Sequence, residues 1–244
     1  MNIPAEFDEI RPYAPEELPQ VYEELIADPM FQAVATQVMP GIPFDMLAAQ
    51  MRLCKTNLDF QKAFFYKLLK ELVKKCAKGI DFDCSAIQDK TNHYTFISNH
   101  RDIILDAAFL DILLVDEGMN TVEIAIGDNL LIYPWIKKIV RINKSFIVKR
   151  GLSLREQLQS SILMSKYIHF AATEKKENIW IAQRQGRAKD SNDRTQDSIL
   201  KMMTMAGEGD IIDRLKEMNL VPLALSYEYD PCDFLKAKEA QQKR

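Results

Sequence analysis

One histidine stands where it could do chemistry. His100, in Ser98-Asn99-His100-Arg101-Asp102-Ile103-Ile104-Leu105-Asp106, follows a short apolar run and precedes a helical pattern. An imidazole paired with a carboxylate has its tautomer fixed, and its second nitrogen is left to act as a general base. Two carboxylates lie close along the chain, Asp102 two residues on and Asp106 six residues on. On a continuous helix neither shares a face with His100, because facing neighbours are three or four residues apart. The pairing therefore demands a turn at 102–104, and the choice between Asp102 and Asp106 stays open at this point.

Two further segments could hold an anion. Lys149 and Arg150 end a strand-like run and adjoin Gly151, with a helix starting at Ser153. Arg184-Gln185-Gly186-Arg187 follows another such run. An arginine grips a phosphate with two parallel bonds, a helix N-terminus adds amides, and a glycine lets backbone approach closely. Lys149, Arg150, Arg184, Gly186 and Arg187 are the candidate binding residues. The four cysteines form no CxxC pair and have no histidine at ligand spacing, so no metal site is expected. His93 and His169 are expected to lack carboxylate partners and read as structural.

These residues need elements to position them. From residue 94 short strand-like runs (94–97, 122–126, 145–148, 178–182 and 220–226) alternate with helical segments (103–117, 152–173 and 196–219). Ser153 and Glu156 form a capping box that opens the second helix. Such alternation predicts an α/β fold, a mostly parallel sheet flanked by helices, over 91–244. Sites in open sheets of this kind lie beyond the carboxyl ends of the strands, where His100, Lys149 and Arg184 fall. Before it, 1–90 reads as a small helical domain, with one helix over 16–27 and one long amphipathic helix over 45–78. Residues 233–244 read as a helix with no stop signal, which suggests a chain truncated at its C-terminus.

Composition limits the partners. The chain has 244 residues, 47% of them hydrophobic and 27% charged, as in ordinary globular proteins. A net charge of -3 argues against nucleic acid. The charge is uneven, with eight acids and one base in residues 1–30, but seven bases and no acid in 137–155. Free thiols and the lack of a basic, apolar leader predict a cytoplasmic protein. No run of 18 apolar residues is present, so contact with a membrane would be peripheral.

The order of these motifs resembles the glycerolipid acyltransferases, the glycerol-3-phosphate and 1-acylglycerol-3-phosphate acyltransferase family. The first family block is similar to Asn99-His100…Asp106, the second to Phe146-Ile147-Val148-Lys149-Arg150, the third to Ile181…Gly186-Arg187 and the fourth to Val221-Pro222-Leu223. The likeness spans about residues 94–227. In the family pattern the aspartate is the fifth residue after the histidine, here Leu105, with Asp106 one later. The third block has Gln185 or Arg184 in place of its glutamate, and Ala188 in place of its serine.

The resemblance implies an O-acyltransferase of phospholipid synthesis. A fatty acyl group would move from acyl-CoA or acyl carrier protein to a hydroxyl of glycerol 3-phosphate or lysophosphatidate. It implies His100 as base and Asp106 as its orienting partner, with no cofactor besides the acyl-donor co-substrate. It places the protein on the inner face of the membrane. The alternative is a catalytically silent lipid- or carrier-binding module of the same fold, docking anionic headgroups through the same basic loops.

Overall fold

The computed structural model describes residues 3–188 and 192–242. In chain order the helices are α1 (Leu18–Ile26), α2 (Pro29–Val38), α3 (Phe44–Leu53), α4 (Asn57–Phe60), α5 (Lys67–Cys76), α6 (Leu105–Asp116), α7 (Pro134–Ile142), α8 (Leu154–Thr173), α9 (Asp197–Met203), α10 (Ile211–Glu217) and α11 (Asp233–Gln242). The strands are β1 (Thr95–Ser98), β2 (Val122–Gly127), β3 (Ser145–Val148), β4 (Asn178–Ala182) and β5 (Leu220–Leu223). They form one five-stranded parallel sheet in the order β3-β2-β4-β1-β5, so the fold is α/β as expected. β1 lies between β4 and β5, with Ser98 opposite both Ala182 and Leu223. The loops that follow these three strands therefore emerge side by side at one sheet edge.

The chain divides into two compact units, Cys84–Ala125 with Leu152–Arg244, and Pro4–Asp83 with Ile126–Gly151. The division is not a single cut near residue 90. The segment carrying α7 and β3 groups with the N-terminal helices, for a reason visible in its packing. Ile142 is fully buried among Leu18, Tyr22, Met51 and Phe60, and Trp135 and Ile139 pack on the same cluster. Arg141 adds polar ties, from Nε to the Arg11 carbonyl at 2.7 Å and from Nη2 to the Asp8 carbonyl at 2.8 Å. The Ile147 amide donates to the Ile10 carbonyl at 2.9 Å.

The long helix expected over 45–78 is broken. α3 stops at Cys54, whose ψ of 119° is extended. Thr56 then caps α4, accepting from the Asp59 amide at 3.1 Å while Asp59 Oδ2 accepts from the Thr56 amide at 2.9 Å. A π-helical stretch, Gln61–Tyr66, joins α4 to α5. The helix expected over 16–27 is present as α1, preceded by a 3-10 turn at Pro15–Glu17. α2 was not anticipated; Asp28 caps it and Pro29 opens it. The segment 196–219 holds two helices, α9 and α10, with Gly207 and Gly209 in left-handed conformation between them. Of the expected helix at 233–244, α11 runs to Gln242, and the last two residues lie outside those described.

Candidate functional site

His100 is two residues past the end of β1, in a loop bonded on every side. The His100 amide donates to Asp193 Oδ2 at 2.9 Å, and its carbonyl accepts from the Ala188 amide at 2.7 Å. The neighbouring Asn99 makes a reciprocal pair with Leu225, its Nδ2 donating to the Leu225 carbonyl at 2.8 Å and its Oδ1 accepting from the Leu225 amide at 2.7 Å. The loops after β1, β4 and β5 are thus laced together around one histidine.

The turn demanded at 102–104 is there, and it settles which carboxylate faces the imidazole. Asp102 Oδ1 accepts from the Ile104 and Leu105 amides, both at 2.9 Å, and so caps the opening of α6. Asp106, in the first turn of that helix, reaches back to His100 Nδ1 at 2.9 Å through Oδ2. The same oxygen accepts from the amides of Arg101 at 2.6 Å and Asp102 at 3.0 Å. Asp106 is 0% exposed, and burying a carboxylate is costly unless hydrogen-bond donors surround it, as they do here. With a carboxylate acceptor opposite Nδ1, a neutral ring keeps its proton on that nitrogen and leaves the lone pair on Nε2. Nε2 meets no hydrogen-bond partner among the described residues, and the His100 side chain keeps 14% of its surface exposed.

The Trp180 indole of β4 and the imidazole meet in a T-shaped contact, with ring centroids 5.4 Å apart. Tyr227 donates its hydroxyl to Asp106 Oδ1 at 2.8 Å. Burial and then the Asp106 carboxylate push the phenol well above its ordinary value, so it remains a donor. Arg101 Nε bonds Asp230 Oδ1 at 2.9 Å, while Lys236 Nζ of α11 donates to Asp230 Oδ2 at 2.5 Å and to the Arg101 carbonyl at 2.7 Å. Burial alone would raise the Asp230 carboxyl, but Arg101 and Lys236 overcome it and hold it below the usual range.

The predicted binding residues divide between the two units. Arg184, Gly186 and Arg187 share a unit with His100, on the loop whose Ala188 bonds the His100 carbonyl. Gly186 has φ +72°, the left-handed conformation that favours glycine. Arg184 Nη1 donates to the Asn192 carbonyl at 3.1 Å, and the half-buried Arg187 has no hydrogen bond or ion pair among the described residues. Lys149 and Arg150 belong to the other unit. Lys149 Nζ pairs there with Glu9 at 2.7 Å, and the Arg150 amide donates to Asp128 at 3.0 Å. The capping box that opens α8 forms as predicted, with Glu156 Oε2 taking the Ser153 amide at 3.0 Å and its hydroxyl at 2.6 Å. A carboxylate therefore already occupies that helix opening.

His169 does have a carboxylate partner, Glu217 on Nδ1, from 48 residues away. Its Nε2 bonds the Met203 carbonyl at 2.8 Å, so neither nitrogen is free and the residue is structural. Asp193 and Tyr227 are the site residues that sequence reasoning missed. Tyr227 had a signal, as the first residue after the fifth strand-like run; Asp193 had none. Among the described residues no group of three or more His, Cys, Asp and Glu could hold a metal ion. No protein-family model matches the chain, and no curated protein matches it.

Proposed function

We propose that this protein is an acyltransferase, carrying a fatty acyl group from acyl-CoA or acyl carrier protein to a hydroxyl of glycerol 3-phosphate or lysophosphatidate. The observation that carries this reading is the imidazole of His100, bonded through Nδ1 to a buried aspartate and without a partner on Nε2 among the described residues, at the carboxyl edge of a parallel sheet. In the proposed reaction Nε2 takes the proton of the acceptor hydroxyl as its oxygen bonds the thioester carbonyl carbon. The carbon–sulfur bond then breaks, and the thiolate leaves with the proton from the imidazolium. Asp106 carries the imidazolium between the two transfers, as carboxylates do in such pairs.

Arg187, free of protein partners among the described residues, and Arg184 beside it supply the charge for an acceptor phosphate. No described helix is long and apolar enough to cross a membrane, and the proposed contact with the lipid surface is peripheral. The test is thiol release on mixing purified protein with palmitoyl-CoA and either glycerol 3-phosphate or lysophosphatidate, with mass spectrometry of the product. Acceptor-dependent release that His100→Ala abolishes supports the reading. Acceptor binding without any release would favour a silent lipid-binding module.

A further inference from the structure

The Asp106 carboxylate is held unevenly. Three donors, His100 Nδ1 and the amides of Arg101 and Asp102, converge on Oδ2, whereas Oδ1 receives the Tyr227 hydroxyl. Two backbone amides on Oδ2 fix where that oxygen lies, but they leave the carboxylate plane to turn about it. The plane matters because a hydrogen bond is strongest when the donor approaches along a lone-pair direction of the acceptor. A fully buried carboxylate oxygen left without a donor also bears the whole cost of its desolvation.

The tyrosine is itself well placed to act as a fixed donor. It lies two residues past Leu225, which the two Asn99 bonds tie to the histidine loop. Its ring meets Phe109, one turn along α6 from Asp106, with centroids 6.4 Å apart. The end of β1, the start of α6 and the end of β5 therefore close on a single carboxylate.

We infer that Tyr227 is a positioning residue, whose hydroxyl locks the Asp106 carboxylate in the plane that aims His100 Nε2 at the acceptor hydroxyl. It touches no reacting atom and acts through Asp106. The inference rests on the proposed role of His100 as base, but its central claim, that the phenol holds the carboxylate against the imidazole, is measurable without turnover.

The measurement is proton NMR of 15N-labelled protein, in which the His100 Nδ1–H is assigned by its loss in His100→Ala. The wild type is expected to show this proton far downfield and slow to exchange with water. Tyr227→Phe keeps the ring and should broaden the resonance by exchange, while Phe109→Leu loosens the ring contact, keeps the hydroxyl and should leave the resonance in place. In the thiol-release assay Tyr227→Phe should lower kcat about tenfold, the worth of one hydrogen bond to a charged group, with acceptor KM unchanged.

An unaltered resonance in Tyr227→Phe overturns the inference, whatever happens to kcat. Equal broadening in Phe109→Leu also overturns it, because packing and not the hydroxyl would then hold the site. Should Tyr227→Phe not fold, 3-fluorotyrosine inserted at position 227 makes the phenol a stronger donor. It should shift the Nδ1–H resonance, and an unmoved resonance counts against the role. A wild type that shows the downfield proton but releases no thiol refutes the acyltransferase reading and leaves the Tyr227–Asp106–His100 linkage standing.

Discussion

Two histidines in one unit each face a carboxylate, and the second ring nitrogen separates their roles. His169 bonds Glu217 and the Met203 carbonyl; His100 bonds Asp106, and its Nε2 has no hydrogen-bond partner among the described residues. His100→Ala is accordingly expected to lower acceptor-dependent thiol release by about 10²–10⁴-fold, the usual worth of a positioned base, with little change in melting temperature. Asp106→Asn should follow it in activity. Asp102→Ala should chiefly cost stability, about 1 kcal/mol in denaturant unfolding for a lost cap, because that carboxylate serves the Ile104 and Leu105 amides. If Asp102→Ala were the more damaging to turnover, the roles of the two aspartates would be reversed. Arg187→Lys, which keeps charge and loses the two-pronged grip, should raise acceptor KM more than donor KM. The histidine, its offset to Asp106 and the need for a turn between them were legible in the sequence, since all lie within seven residues. The partners of Tyr227 and Asp193 were not, being 121 and 93 positions away, at distances that only the parallel pairing of β1 with β4 and β5 closes, although Tyr227 could be noticed by its place just after the fifth strand-like run.

At the scale of elements, the strands of the sheet were readable because each is a short apolar run between turn residues. All five fall within a few residues of where the sequence places them. The helices were harder, because apolar residues at three- and four-residue steps continue across 45–78 whether or not the backbone does. What ends α3 is a local competition: the Thr56 hydroxyl and the Asp59 carboxylate satisfy each other's amides and start a new helix. Thr56→Ala should therefore lower unfolding free energy by about 1 kcal/mol, read from urea denaturation at neutral pH. Asp59 makes the same point through pH. The Thr56 hydroxyl above all, with the Thr56 and Lys55 amides, holds its carboxyl below the usual value. A carboxyl depressed on folding contributes stability above its unfolded value of about 4, and loses that contribution as pH falls through the folded value. The stability gap between wild type and Asp59→Asn should thus be full at pH 7 and close below pH 4. A gap that widened in acid would mean that Asp59 is no longer the acceptor in this cap.

At the scale of the whole unit around His100, α8 is longer than the sheet it covers. Its 20 residues extend about 30 Å, whereas the five residues of β4 extend about 17 Å. The C-terminus of α8 leads into β4 at the amino end of that strand, so the chain direction of the helix runs back toward the strand's carboxyl end. Burial follows this geometry. Every side chain from Leu154 to Gln159 is exposed, and the continuous buried face begins at Met164. Leu154, Leu158 and Ile162, four residues apart and therefore on one face, are 87%, 53% and 39% exposed, with Arg155 beside them. Ile103 and Ile104, three and four residues after His100, are also exposed. On the proposed acyltransferase reading, this apolar stripe with Arg155 would be the part of α8 that meets a bilayer bearing anionic headgroups. Leu154→Asp combined with Leu158→Asp should leave the melting temperature unchanged, because neither side chain is buried. It should abolish sedimentation with phosphatidylglycerol-containing vesicles, and it should lower turnover of membrane-bound lysophosphatidate while sparing soluble glycerol 3-phosphate. Vesicle binding that survives the double substitution, or a dimer in solution that the substitution dissociates, would assign the stripe to something other than the lipid surface.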